Sequence, residues 1–189
     1  MEDLFNNLSH LITLSPESKS AFSGILVRKE VKKGEILLKA GKTSNHLYYI
    51  EKGLARTFYL KDGKDVTDWI STEKNFSVSI LSFITRKPDR RSIELLEDSV
   101  LWSIHYDDLQ KLYKEYHEIE RLGRLLAEDG LVQIQQRFDD LHFTSAQDRY
   151  KKILLANPTI IQRVPLGMVA SYLGISQETL SRIRSGLSF

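Results

Sequence analysis

The segment VASYLGISQETLSRIRSGLSF, residues 169–189, places a small residue, a glycine and a capped polar helix in a fixed order. Ala170 lies four residues before Gly174, and its small side chain lets a second helix cross close to the first. Gly174 suits the left-handed backbone that ends many helices, and Ser176 is a good N-cap for the next helix. This spacing predicts a helix-turn-helix. Its predicted shared core is Val169, Leu173, Ile175, Leu180 and Ile183.

The polar side of the second predicted helix carries side chains that suit nucleic acid. Gln pairs with adenine, Glu accepts from the cytosine amino group, and Arg binds the guanine edge. Hydroxyl groups and a helix N-terminus can hold phosphate. The candidate DNA-binding residues are Ser176, Gln177, Glu178, Thr179, Ser181 and Arg182. A generic helical hairpin can produce similar apolar spacing, so the distribution of charge matters as well.

The charge of the chain is concentrated at this end. Residues 144–189 contain six Lys and Arg against two Asp and Glu, a net charge of +4, which leaves −2 for residues 1–143 of the total +2. Chance scatter is one explanation. The other is a small module that seeks an anion, for which nucleic acid is the usual partner.

Short β-rich segments occupy about residues 25–105. They are rich in β-branched and aromatic residues and are separated by Gly, Asp, Asn and Lys. Asp62-Gly63, between FYLK and KDVTDWI, is a strong hairpin signal. Many short strands at close spacing predict an antiparallel sandwich or barrel. Before them, Ser15-Pro16 has the pattern of a helix start, with a cap followed by Pro at the first helical position.

A long apolar stripe at helical spacing follows from Asp107 to about Leu141, with a break predicted near Asp129-Gly130. A helix of about thirty residues is far longer than the globular mean of about 11–12. The stripe could pack against its own domain. We favour a coiled-coil-like homodimer, with the candidate interface Ile119, Leu122, Leu126, Leu131 and Ile134.

Composition excludes several classes of site. The chain has no cysteine, which excludes disulfides and cysteine-ligated iron–sulfur clusters. No apolar run approaches the roughly 20 residues of a membrane span, and the start MEDLFNNLSHLI has no signal-peptide pattern, so we expect a cytoplasmic protein with no membrane partner. The sequence contains no recognisable set of catalytic or metal-ligating residues. We therefore expect that the protein is not an enzyme, and no cofactor is assigned. The segment from Gly41 to Gly53 matches a metal-binding cupin motif only in part, because Tyr48 stands where a second His is needed.

The segment SQETLSRI, residues 176–183, resembles the S-R-E-T-V-x-R-I recognition helix of the Crp/Fnr family of bacterial transcription regulators. Gln177 replaces the first Arg of that motif, whereas Glu178 and Arg182 fall on the family's base-contacting residues. The pattern of Gly34, Gly41, LYYI, Gly53 and Arg56 is also similar to the family. The resemblance covers nearly the whole chain. It implies an α+β fold with an N-terminal double-stranded β-helix (a jelly roll of the cyclic-nucleotide-binding type), a long dimerisation helix and a C-terminal winged helix-turn-helix. The implied domains are 1–106, 107–142 and 143–189.

The effector region departs from the family. There, F-G-E-L is followed about ten residues later by R-S or R-A, with Glu on the ribose and Arg on the cyclic phosphate. Here residues 76–83 read FSVSILSF, which lacks both the glycine and the glutamate, and PDRRS follows at 88–92. Loss of one charge-assisted hydrogen bond costs roughly 1.5–3 kcal/mol. The tentative effector-binding residues are Ser79, Arg90, Arg91 and Ser92, although a solvated hairpin tip would also explain the paired arginines.

The resemblance implies a homodimer that binds a near-palindromic double-stranded operator and contacts RNA polymerase. The effector is expected to be an anionic or apolar small molecule other than cyclic AMP, or to be absent if binding is constitutive. Two alternatives remain open. One is a cyclic-nucleotide-type sensor that acts on a protein partner, and the other is a degenerate cupin-like metalloenzyme.

Overall fold

The computed structural model describes residues 1–186, in which helices precede and follow a β-sandwich. The strands are Leu26–Val31 (β1), Ile36–Leu38 (β2), His46–Lys52 (β3), Ala55–Lys61 (β4), Lys64–Ser71 (β5), Phe76–Ser77 (β6), Ser92–Leu95 (β7) and Ser99–His105 (β8). The helices are Glu2–Leu8 (α1), Pro16–Gly24 (α2), Ile80–Thr85 (α3), Tyr106–Glu115 (α4), His117–Phe143 (α5), Ala146–Ala156 (α6), Ile160–Arg163 (α7), Leu166–Tyr172 (α8) and Gln177–Gly186 (α9).

The strands form two antiparallel four-stranded sheets, in the orders β1-β8-β3-β6 and β2-β7-β4-β5. Alternating side chains of both sheets point into the space between them, because successive residues of a strand face opposite sides. The buried group there is Leu38, Tyr48, Ile50, Ala55, Ile93, Leu95 and Leu101. The predicted jelly roll is confirmed.

The Asp62-Gly63 hairpin is also confirmed. It joins β4 to β5 with Lys61 paired to Lys64, and both turn residues have positive φ, 52° and 76°. Two adjacent positive φ values define a type I′ turn, whose twist matches that of the flanking strands.

The predicted long helix is two helices, and its break is at Tyr116 rather than at Gly130. Tyr116 has extended backbone (φ −125°, ψ 100°), whereas Gly130 lies inside the continuous helix α5. The two helices then pack against each other through Gly123. A Cβ at Gly123 would lie 2.2 Å from the hydroxyl of Tyr113, so only glycine admits this ring.

A second core lies outside the β1-β8-β3-β6 sheet and joins α1, α2, α4 and the first half of α5. Its buried members include Leu4, Leu8, Phe22, Trp102, Ile104, Leu109, Leu112, Ile119 and Leu122. Ile119 and Leu122 are 0% and 2% exposed. The prediction that they form a dimer interface is therefore wrong, because both are already buried within their own chain. The alternative of packing against the same domain holds for this half of the stripe.

A third core joins the C-terminal helices to the sandwich. It contains Leu54 and Leu96 of the sandwich together with Tyr150, Ile160, Val164, Val169, Ala170, Leu173 and Leu180. We call the helices α6 to α9 the C-terminal module. The last strand among residues 1–186 is β8, so the described part of this module is helical and contains no wing strands.

Candidate nucleic-acid interface and internal cavity

The turn between α8 and α9 has the geometry that the sequence predicts. Gly174 has φ +68°, and the N–H of Ile175 donates to the carbonyl oxygen of Ala170 at 3.0 Å. This hydrogen bond, from a residue to the carbonyl five residues before it, is typical of a Schellman C-cap, which satisfies a carbonyl at the end of α8. A Cβ at Gly174 would lie 3.2 Å from Cδ2 of Leu141.

The two helices share the predicted apolar core. Val169, Ala170, Leu173 and Leu180 are each at most 2% exposed, and Ile175 and Ile183 pack against them half-buried. Because Ala170 is fully buried where the helices meet, its small side chain sets their close approach. The helix-turn-helix is therefore confirmed as a packed unit.

The predicted base-reading residues lie on the opposite, exposed side of α9. Gln177, Glu178, Ser181 and Arg182 are exposed, and Thr179 is half-buried. The hydroxyl of Ser176 and the positive charge of Arg182 lower the pKa of Glu178. Glu178 is therefore an acceptor at neutral pH.

The Ser176 hydroxyl caps the helix. Its Oγ accepts from the N–H of Thr179 at 3.2 Å, and it also lies 3.1 Å from the Thr179 hydroxyl. One of the N-terminal donors of α9 is thus satisfied by the chain itself.

Part of the basic charge in this module has a structural use that the sequence did not reveal. Arg149 donates from Nε to the carbonyl oxygen of Leu173 at 3.0 Å and from Nη1 to those of Asp140 and Thr144. It therefore fastens the end of α8 to the end of α5. Charge counting alone cannot separate an arginine that binds backbone carbonyls from one that meets phosphate.

Arg163 fastens the module to the sandwich. It binds Glu97 through Nε and Nη2 at 2.9 and 2.7 Å, and Glu73 through Nη1 and Nη2 at 2.9 and 2.6 Å. Burial raises the pKa of Glu73, but hydrogen bonds from Arg163 and from the Gly53 amide outweigh it, and the net pKa is lowered. The two carboxylates in turn raise the pKa of Arg163.

Helix α8 also contacts the sandwich directly. The N–H of Thr67 in β5 donates to Oγ of Ser171 at 2.9 Å. Arg137 of α5 donates to the carbonyl oxygen of Tyr172, and its guanidinium lies 3.8 Å from the centroid of the Tyr172 ring. Burial lowers the pKa of Arg137. The first helix of the helix-turn-helix is thus held by β5 on one side and by α5 on another.

A cavity of about 970 Å³, partly open to solvent, lies between the sandwich and the helices α1, α3, α4 and α5. Its size falls in the range of small-molecule sites, roughly 300–1,000 Å³. Arg137 lines it, so the same side chain touches both the cavity and α8. The apolar and aromatic walls include Leu47, Trp69, Phe76, Phe83, Tyr113, Leu126 and Ile134.

Two of the four predicted effector residues face this cavity. Ser79 and Arg91 line it, whereas Arg90 is exposed 5.3 Å from the centroid of the Tyr59 ring. Ser92 accepts at Oγ from the N–H of Ala40 at 3.0 Å and is likewise outside the cavity lining. The solvated-tip explanation therefore holds for Arg90 and fails for Arg91.

Two aspartates that the sequence did not single out complete this wall. Asp68 of β5 accepts from Nε of Arg91 at 2.6 Å, and Asp89 is a buried acceptor for Ser79 and Arg91. Burial raises the pKa of Asp89, but the hydrogen bonds from Ser79 and Arg91 outweigh it and the pKa is lowered. Asp68 precedes Arg91 by 23 residues and belongs to β5, whereas Arg91 directly precedes β7, so only the arrangement of these strands on either side of β4 could show that the two side chains meet.

The second half of α5 carries an exposed apolar row. Leu131, Ile134, Phe138 and Leu141 are 67%, 47%, 53% and 39% exposed and step by 3, 4 and 3 residues. This is the a/d spacing of a coiled coil. Leu126, the remaining predicted interface residue, is half-buried against the second core, so only Leu131 and Ile134 of the predicted set stay available to a partner.

Within residues 1–186, no cluster of three or more His, Asp or Glu side chains could hold a metal ion. Among the same residues, the structure has no helix with the length and apolar character needed to cross a bilayer.

Comparison with known proteins agrees with this architecture. Residues 28–116 match the family model described as the cyclic nucleotide-binding domain. No curated protein matches the chain. The catabolite activator protein of Thermus thermophilus is 21% identical, with a TM-score of 0.59 over 96% of this chain and 86% of that one.

Two further solved structures give higher TM-scores. A protein from Eubacterium rectale described as a Crp/Fnr family transcriptional regulator is 21% identical, with a TM-score of 0.69 over 90% of this chain and 82% of that one. FixK2 from Bradyrhizobium japonicum is 17% identical, with a TM-score of 0.71 over 85% and 83%. The resemblance drawn from the sequence is confirmed at the level of the fold: residues 28–116 match the cyclic nucleotide-binding domain model, and the chain has the fold of solved Crp/Fnr family proteins.

Proposed function

We propose that the protein is a homodimeric, sequence-specific DNA-binding transcriptional regulator whose cavity senses an effector other than cyclic AMP. The observation that carries the proposal is the exposed polar face of α9, presented by a packed helix-turn-helix with a left-handed Gly174 turn. Such a protein works in the cytoplasm, where it meets the chromosome, and acts by binding rather than by catalysis. Contact with RNA polymerase stays a prediction.

Recognition would use the first turns of α9 in the major groove. Arg182 suits guanine, Gln177 suits adenine, and Glu178, ionised at neutral pH, suits the cytosine amino group. Ser181 can reach a base or a phosphate from the same face, while Ser176 and Thr179 lie at the helix N-terminus, which favours a phosphate.

The homodimer is supported by the exposed apolar row on α5. Its four residues repeat at coiled-coil spacing. A second copy of the chain carries the same apolar face, so the two faces could pack against each other and exclude water. Two-fold symmetry would then place the recognition helices on half-sites about 34 Å apart. The operator would accordingly be near-palindromic.

The effector is proposed to differ from cyclic AMP because the ribose- and phosphate-binding groups are altered. Val78 lies in the segment where the family has Gly and Glu, and Arg91 is already bound to two carboxylates. A carboxylate-bound arginine has less to offer an incoming phosphate.

Control would run from the cavity to α8 through two contacts. Asp68 lines the cavity, and the N–H of the preceding residue, Thr67, is bonded to Ser171. Arg137 lines the cavity and binds Tyr172. An effector that shifts either side chain changes how firmly α8 is held, which biases the position of the recognition helix.

The test is selection of duplex DNA from a randomised library by the purified full-length protein. We expect enrichment of a near-palindrome whose half-sites are separated by about one helical turn. Recovery of sequences no different from the starting pool would contradict the proposal. Capture of DNA without sequence preference would reduce it to a non-specific binding protein.

A further inference from the structure

The backbone on both sides of Asp89 fixes its position. Its carbonyl oxygen accepts from the N–H of Gly41 at 2.7 Å, and its own N–H donates to the carbonyl oxygen of Lys42 at 3.2 Å. The side chain is only 2% exposed, in the wall of the cavity. The backbone of Asp89 is therefore anchored, and turning its carboxylate out to solvent would break the hydrogen bonds from Ser79 and Arg91.

Three donor groups converge on the Asp89 carboxylate. They are the hydroxyl of Ser79, the backbone N–H of Arg91 at 3.2 Å, and Nη1 of Arg91 at 3.3 and 3.4 Å from the two oxygens. A hydroxyl, a backbone amide and a guanidinium are the donors that a phosphate or carboxylate ligand takes in a protein. The cavity therefore contains an oxyanion site, and a carboxylate of the chain itself fills it.

The positive charge at this site is already outweighed by negative charge. Arg91 is bound by Asp89 through Nη1 and by Asp68 through Nε, so one cation faces two carboxylates. An external anion would have to displace a buried carboxylate from its hydrogen-bond donors, or bring a third negative charge beside the other two.

We propose that Asp89 is a built-in anion that occupies the oxyanion-binding groups of the cavity. The phosphate or carboxylate of an effector is thereby excluded from these groups, and the ligand proposed for the cavity is an uncharged organic molecule. The remaining volume suits such a ligand because its walls are largely aromatic and aliphatic, with Trp69, Phe76, Phe83 and Ile134 among them. This inference rests on the proposed role of the cavity as the sensor site and makes Asp89 the residue that sets effector class.

The experiment compares phosphate binding by the full-length wild type, Asp89→Ala and the control Asp98→Ala. Asp98 is an exposed carboxylate paired with Lys32, on the loop before β8 and outside the cavity lining. Binding is measured as the rise in unfolding temperature when inorganic phosphate replaces chloride at constant ionic strength. The control corrects for phosphate at other surfaces and for its general stabilising effect.

Removal of Asp89 empties the donor site, so phosphate should bind Asp89→Ala with an apparent Kd at least about tenfold lower than in the wild type. Asp98→Ala should behave as the wild type does. A wild type that saturates at the same phosphate concentration as Asp89→Ala, or a folded Asp89→Ala with no gain, would overturn the proposal.

Asp89→Asn covers the case in which Asp89→Ala fails to fold, because the amide keeps the volume of the side chain and one acceptor oxygen while removing the charge. We expect it to bind phosphate more tightly than the wild type, and equal binding would refute the proposal. The readout contains no DNA. If the wild-type protein selects no operator, the proposed function is contradicted. The role of Asp89 is then still decided by the phosphate-binding result alone.

Discussion

Arg137 donates a hydrogen bond to the carbonyl oxygen of Tyr172 and lies over its ring, 3.8 Å from the centroid. Arg137 belongs to the helix that lines the cavity, and Tyr172 ends the first helix of the helix-turn-helix. One side chain thus touches both the cavity and the helix-turn-helix.

Arg137→Ala should loosen α8 while leaving the sandwich folded. Removal of a hydrogen bond from a charged donor costs about 1.5–3 kcal/mol, and amide exchange in Leu166–Tyr172 should accelerate accordingly. Hydrogen–deuterium exchange measures this. Arg124→Ala is the matched control, since Arg124 forms an exposed pair with Glu128 on the same helix. Equal exchange of α8 in both variants would contradict the role of Arg137.

Attachment of the module through Arg163 should weaken in acid. The lowered pKa of Glu73 means that its contribution is fully present above its ordinary pKa of 4.5 and is lost as pH falls through the lower folded value. The difference in stability between the wild type and Arg163→Ala should therefore shrink at acidic pH. Thermal unfolding of both proteins between neutral pH and pH 3 checks this. A difference that does not change with pH would contradict the role assigned to the charge of Glu73.

The two halves of α5 should respond differently to truncation. Leu131→Ala removes an exposed side chain and should weaken self-association without changing the stability of the subunit. Ile119→Ala empties a fully buried site and should cost about 2–5 kcal/mol of unfolding free energy. Analytical ultracentrifugation and chemical denaturation separate the two effects. If Leu131→Ala leaves self-association unchanged, the exposed apolar row of α5 is not the dimer interface.

Two glycines should respond with opposite signs to replacement by alanine. Gly174→Ala must adopt φ +68° and meet Leu141 at 3.2 Å, so we expect a loss of roughly 1 kcal/mol or more. Gly130→Ala lies inside α5 with open space around its added Cβ, so it should stabilise by roughly 0.5–1 kcal/mol. Urea denaturation of both variants measures the difference. A stabilised Gly174→Ala would mean that the turn is not held in the left-handed conformation.

The sequence revealed features that are local in the chain. The Ser176 cap, the Gly174 turn and the Asp62-Gly63 hairpin each depend on neighbouring residues, and each is present as predicted. The division of α5 into a buried and an exposed half could not be seen, because an apolar stripe has the same spacing whichever surface covers it.

The cavity was the part of the structure that the sequence predicted least well, for the same reason. Arg90 and Arg91 are adjacent in sequence, yet only Arg91 lines the cavity. Asp68 belongs to β5, 23 residues earlier, and its contact with Arg91 follows from the three-dimensional arrangement of the sheet. The structural roles of Arg149 and Arg163 could not be predicted either, because the carbonyls and carboxylates that they bind are distant in the sequence.

The central claim is that α9 reads the sequence of DNA, and a titration of Arg182→Ala tests it most directly. Binding to the selected operator and to operators altered at single base pairs is measured by fluorescence anisotropy at two salt concentrations. We predict a loss of about 1–3 kcal/mol on the selected site together with relaxed discrimination at one base pair of each half-site. A uniform loss across all sequences would mark Arg182 as a phosphate contact, and unchanged affinity and specificity would contradict the claim.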